Sequence, residues 1–89
     1  MQCKAKIIET LPMTSGVRKS DNMPWYKATI IVETIEQYPK KIALNNIKKA
    51  HEFAQLTPGT IYNFDCNVES HCFNGRWFTE VTCWNWNNV

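Results

Sequence analysis

Eighty-nine residues bound the chain to one small domain, and 44% hydrophobic with 20% charged residues describes a globular core rather than a disordered segment. A net charge of +2 is too small to mark a nucleic-acid binder by itself, but the charge is unevenly spread. Residues 1–49 carry nine Lys/Arg against four Asp/Glu, and residues 50–89 carry one Arg against four acids, so the parts are +5 and −3 and one region of the fold should be basic.

Cys3-Lys4-Ala5-Lys6-Ile7 alternates with period two and predicts a first strand with one face buried. After Ile8 the phase slips to Leu11 and Met13, which predicts a bulge or bend. Residues 14–24, TSGVRKSDNMP, are rich in turn-formers and read as a long, mobile, charged loop. A second strand follows from about Trp25 to Thr34. Its inward set is Ala28, Ile30 and Val32; its outward set is Trp25, Lys27, Thr29, Ile31 and Glu33.

Glu36 to Pro39 makes a turn or strand edge, and Lys40 to Asn45 predicts a third strand with Ile42 and Leu44 inward. From Asn46 to Leu56 the period changes. Ile47, Ala50 and Ala54, joined by Phe53, predict one short amphipathic helix with Asn45 or Asn46 as its N-cap, and Lys48 and Lys49 on solvated surface away from any groove. Pro58-Gly59 ends it.

The fourth strand places Tyr62, Phe64, Cys66 and Val68 inward. Beyond the Asn74-Gly75 turn signal a fifth strand carries Trp77, Thr79, Val81 and Cys83 on one face, and Phe78, Glu80, Thr82 and Trp84 on the other. Five strands with one short helix between the third and fourth is the order of an all-β, five-stranded Greek-key OB-fold barrel, here a single domain over 1–89.

The four cysteines, at 3, 66, 72 and 83, form no C-x-x-C pair. Cys66, Cys72, His51 and His71 match no standard zinc spacing, so reduced thiols and no metal or other cofactor are expected. His71 and Cys72 are adjacent on a strand and point to opposite faces, so they make no catalytic dyad; no acidic cluster suggests a nuclease. A binding module without enzymatic activity or a small-molecule substrate is expected.

Phe53-Ala54-Gln55-Leu56-x-x-Gly59 running into the strand at 61–69, then Asn74-Gly75-Arg76-Trp77-Phe78-Thr79-Glu80-Val81, resembles the bacterial single-stranded DNA-binding protein (SSB) family. Lys6 to Pro12, Ser15-Gly16, Glu33 to Lys41 and Asn74 to Trp77 resemble, over nearly the full length, a compact group of Bacteroidetes and phage OB-fold proteins. The resemblance implies binding of single-stranded DNA in a groove across strands two and three, flanked by the loops between strands one and two and strands four and five. It puts two of that family's ring positions on Phe73 and Tyr38, and replaces a third with Leu44. The SSB family's acidic-tipped tail has no counterpart here, so no recruiting role is expected.

Single-strand binders need cations along the backbone and rings on which bases stack. Arg18, Lys19, Lys27, Lys40, Lys41 and Arg76 are the candidate cations; Trp25, Tyr38, Phe73 and Trp77 are the candidate rings. Trp77 has an inward phase, yet at a strand start it could cover the barrel mouth. Trp84 and Trp86, late in the last strand, are expected to pack on a second copy or on the first strand, making a homo-oligomer, a dimer. Single-stranded DNA is the expected partner, with RNA open because no feature is dedicated to a 2′-OH. The competing reading is an OB-fold module for protein–protein assembly. No segment is long enough for a membrane span and Glu9 interrupts the start before a signal-peptide core, so the expected location is the cytoplasm, the host's for a phage-encoded chain.

Overall fold

Period-two alternation becomes sheet in the computed structural model, which describes residues 2–89. The elements are β1 (Gln2–Thr10), β2 (Thr14–Val17), β3 (Pro24–Thr34), β4 (Lys41–Asn46), α1 (Ala50–Ala54), β5 (Ile61–Phe73) and β6 (Arg76–Asn88). β1 pairs with β5 through Gln2–Lys6 and with β3 through Ala5–Thr10. The order β1-β5-β6-β4-β3 therefore returns to β1, and the sheet closes on itself. Closure satisfies the backbone groups that an open edge would leave unpaired. β4 and β6 run parallel, through Leu44↔Val81 and Asn45↔Thr82; the other pairings are antiparallel.

Two bulges bend the strands. The β1–β3 register passes from Ile7↔Val32 to Glu9↔Ile31, leaving Ile8 as the extra residue where the sequence phase slips. The β5–β6 register passes from Asp65↔Asn85 to Cys66↔Cys83, so Trp84 is the extra residue. The second bulge changes which side chains reach the core. Without it, Cys83 and Trp86, three apart, would face opposite sides; with it, both sit across from inward residues of β5, Cys66 and Phe64.

Ala5, Ile7, Ala28, Ile30, Val32, Leu44, Phe64, Cys66 and Cys83 fill the interior, and Ala50 and Phe53 of α1 seal it. Trp86 packs against this core, its ring 5.1 Å from that of Phe53 at 58°. The expectation that Trp86 meets a second copy is therefore corrected: its ring completes the protein's own interior. Cys66 and Cys83 are buried opposite one another, and the hydrogen bond between them, then burial, pushes the Cys83 thiol up.

Residues 14–24 also differ from expectation. Thr14–Val17 forms a sixth strand paired with Pro24–Lys27, and only residues 18–23 turn. That turn is closed by backbone bonds from Arg18 N–H to Met23 O and from Asn22 N–H to Arg18 O, with Asn22 at φ 54°. Turn-formers at 18–23 hid the short strand before them. Leu11 and Met13, expected as apolar inward positions, lie exposed.

The helix is shorter than its periodicity suggested because Asn46 is used elsewhere. Its amide is buried, donating to Cys83 O at 2.8 Å and accepting the Lys49 N–H at 2.7 Å. The turn at 47–49 is thereby fixed, Lys49 becomes the N-cap without a side-chain cap, and Ile47 is exposed rather than inward. Gly59, at φ 91°, donates to Ile7 O at 2.7 Å and ties the connection after the helix back to β1.

β5 and β6 have 13 residues each, about 43 Å at ~3.3 Å per residue. That nearly equals the 44 Å longest dimension of the molecule. Every residue from Asn67 to Thr79 is exposed, so the distal half of this hairpin is an arm beyond the core, and Val68, expected inward, is exposed on it. Asn74 (φ 51°) and Gly75 (φ 78°) form the two-residue turn at its tip, the geometry Asn-Gly favours. Among the described residues no helix is long and apolar enough to cross a membrane.

Candidate nucleic-acid interface

Cross-strand partners in a sheet present side chains to the same face, so the registers above define which residues share the outer surface. Thr29, Asn45, Thr82 and Asn67 are successive partners across β3, β4, β6 and β5. They make a row of short polar side chains, with Thr29 Oγ1 donating to Asn45 Oδ1 at 2.6 Å. A low row of this kind leaves the sheet surface open to a flat ligand.

At one edge of the row, toward the start of β3, lie Trp25 and Lys27, both half-buried. The Trp25 indole rests on β2: a Cβ on its partner Gly16 would stand 2.6 Å from a ring carbon. Glycine at 16 is what lets the ring lie down there. Tyr26, on the alternate face, packs edge-on against His51 at 4.7 Å and ties this end of β3 to the helix. Lys27 Nζ reaches Glu80 Oε1 at 3.4 Å, the one salt bridge among the described residues. Arg18 and Lys19 are exposed in the turn between β2 and β3.

Along the arm, Phe73 pairs with Arg76 and His71 with Phe78, and period two puts these four on the face that carries Asn67 and Thr82. Phe73 is 67% exposed. Trp77 is 72% exposed, so it covers no barrel mouth, and it shares the opposite face of the arm with Val68 and Val81. Tyr38, 75% exposed, stands with Lys40 in the β3–β4 turn, and exposed Lys41 opens β4. Leu44 is fully buried, so the third ring position of the resemblance is interior here.

Trp25, Lys27, Phe73 and Arg76 thus share one sheet face, with Tyr38, Lys40 and Lys41 at the far end of β3 and Arg18 and Lys19 beyond its beginning. Trp77 is turned away. Trp84, expected on the outward face of its strand, is 58% exposed at its bulge. Two features escaped the sequence reading. Phe78 belongs with Phe73 and Arg76, which the Asn74-Gly75 register would have disclosed. Lys48 and Lys49, expected far from any groove, line a cleft of about 340 Å³ with Asn46, Ile47, Asn67, Thr82, Cys83 and Trp84. Only the true helix start at Ala50 moves these lysines off the helix, and no local signal announces it.

The model of a family described as "Domain of unknown function (DUF3127)" matches residues 2–87. No curated protein matches the chain. Among solved structures the chain is similar to the crystal structure of the SSB domain of a Synechococcus sp. protein. The identity is 14%, covering 99% of this chain and 92% of that one, with a TM-score of 0.69. A likeness at that identity is one of fold, and it agrees with the OB-fold read from the strand order.

Proposed function

The chain belongs to the DUF3127 family, and we propose that it is a sequence-tolerant single-stranded DNA-binding protein of replication, recombination or repair, acting in the cytoplasm. One observation carries the reading: a single sheet face presents Trp25 and Lys27 at one edge and Phe73, Arg76 and Phe78 on the arm, with the low Thr29–Asn45–Thr82–Asn67 row and the Glu69–Glu80 pair between them, Glu80 held by Lys27. Each base stacked on a ring is worth about 1–3 kcal/mol, whatever its identity, because every base has a π-face. Lys27, Arg76, Lys40, Lys41, Arg18 and Lys19 would track the phosphates. A duplex keeps its base faces stacked and offers only charge to such a surface. The fold shared with an SSB domain supports the reading.

Substitution tests it. Trp25→Ala and Phe73→Ala should each weaken binding of a dT oligomer by about 1–3 kcal/mol and leave the melting temperature nearly unchanged. Glu80 competes with phosphate for Lys27, so Glu80→Gln should tighten binding and steepen the salt dependence by about 0.7, while Lys27→Ala should flatten it by a similar amount. The reading fails if Trp25→Ala unfolds the protein while its folded fraction keeps wild-type affinity.

The proposal includes a homodimer. With Trp86 interior, the surface that supports it is the other face of the arm, where Val68 and Trp77 are exposed and uncovered. Sedimentation should detect a species of twice 10.4 kDa that Trp77→Ser dissociates; a monomer at high concentration would contradict the dimer.

A further inference from the structure

The cleft beside Trp84 lies outside the rings and cations used above. Its volume, about 340 Å³, falls at the lower end of small-ligand pockets, roughly 300–1,000 Å³. One wall is β6, where the bulge gives Trp84 an extra position and leaves its indole largely exposed. The other wall is the turn at 47–49. The Asn46 side chain holds the two walls together, bonded to Cys83 O on β6 and to the Lys49 N–H in the turn. The cleft is therefore built before any ligand arrives.

Its chemistry has three parts. Trp84 and Ile47 are exposed apolar groups, the first with a face large enough for a base. Lys48 and Lys49 are exposed, and the salt bridge among the described residues is Lys27–Glu80, so neither ammonium forms one. Asn67 and Thr82 supply hydrogen-bonding groups and are also the last two members of the polar row that crosses the sheet. The cleft and the row are thus continuous. A ring, two cations and polar groups converging at the end of that row match one chemical unit: a base with its adjoining phosphate.

We infer that this cleft binds one nucleotide of the same single strand, the base on Trp84 and its phosphate on Lys48 and Lys49. The inference rests on the single-strand reading above. It extends the strand's path off the Thr29–Asn45–Thr82–Asn67 row toward the start of the helix, on the side away from the arm tip.

The test is a titration of fluorescein-labelled dT of about 16 nucleotides, the upper end of OB-fold site sizes, against wild type, Trp84→Ala, Trp84→Phe and the Lys48→Ala/Lys49→Ala pair. Trp84→Ala should weaken binding on the order of tenfold, and Trp84→Phe should restore most of it. The lysine pair should lower the salt slope by about 1.4, twice the ~0.7 per phosphate of a single strand. If wild type binds the oligomer and all three variants match it in affinity and slope, the cleft is overturned and the single-strand reading stands. If wild type binds no strand, both fall. If Trp84→Ala dissociates a dimer on sedimentation with affinity per site unchanged, the patch joins protein copies and the inference is wrong. Should Trp84→Ala fail to fold, the slope of the lysine pair decides.

Discussion

Alanine in place of Phe53 is expected to cost about 3–5 kcal/mol of folding stability, the range for a buried phenylalanine. Its ring is fully buried, on a helix of five residues too short to hold its own shape, and it meets the Trp86 ring at 5.1 Å. The helix is held by what its buried face contacts, so deleting the ring removes the seal as well as the packing. Against a total of about 5–15 kcal/mol for a domain, that loss is a large share of the margin. Urea unfolding followed by far-UV circular dichroism measures it. A midpoint within error of wild type would mean that α1 does not close the interior.

Asn46→Leu is the second large effect. The substitution keeps the approximate size but removes the partner of two backbone groups: the buried Cys83 C=O loses its donor and the part-buried Lys49 N–H loses its acceptor. The buried unsatisfied carbonyl alone costs about 1–3 kcal/mol. The same change frees the 47–49 turn, so strand affinity should drop along with stability. Denaturant midpoints of Asn46→Leu and wild type test the first part, and a Leu variant as stable as wild type would show that these two bonds are incidental.

Those two residues also mark where the sequence was readable and where it was not. Phe53 lies on an apolar stripe of helical spacing and next to Pro58-Gly59, so its burial follows from local pattern. The same holds for Ala28, Ile30 and Val32, for Phe64 and Cys66, and for the phase slip at Ile8. Asn46 was legible only as a helix cap, because its actual partner, Cys83, is far along the chain. Trp86 was misplaced for a related reason: a bulge at Trp84 reverses the alternation, and nothing in CWNW indicates that an extra residue is present. β2 was hidden by the turn-rich segment that contains it.

The candidate site divides the same way. Period two put Trp25 and Lys27 opposite the core, and the Asn74-Gly75 turn put Phe73 at an exposed tip, positions the structure bears out. Trp77 was given an inward phase, which its register respects, but the strand there has left the core and no interior remains for it to enter. Lys48 and Lys49 required the helix boundary, and the Lys27–Glu80 pair required the closed sheet.

The central claim is that the outer sheet face takes single-stranded nucleic acid by stacking, and the direct test is tryptophan fluorescence during titration with dT, rU and duplex of equal length. The account predicts quenching and saturable binding with dT, much weaker binding to duplex, and a salt slope near −3 for about four neutralised phosphates. Equal affinity for dT and duplex, or no quenching with dT, would contradict it.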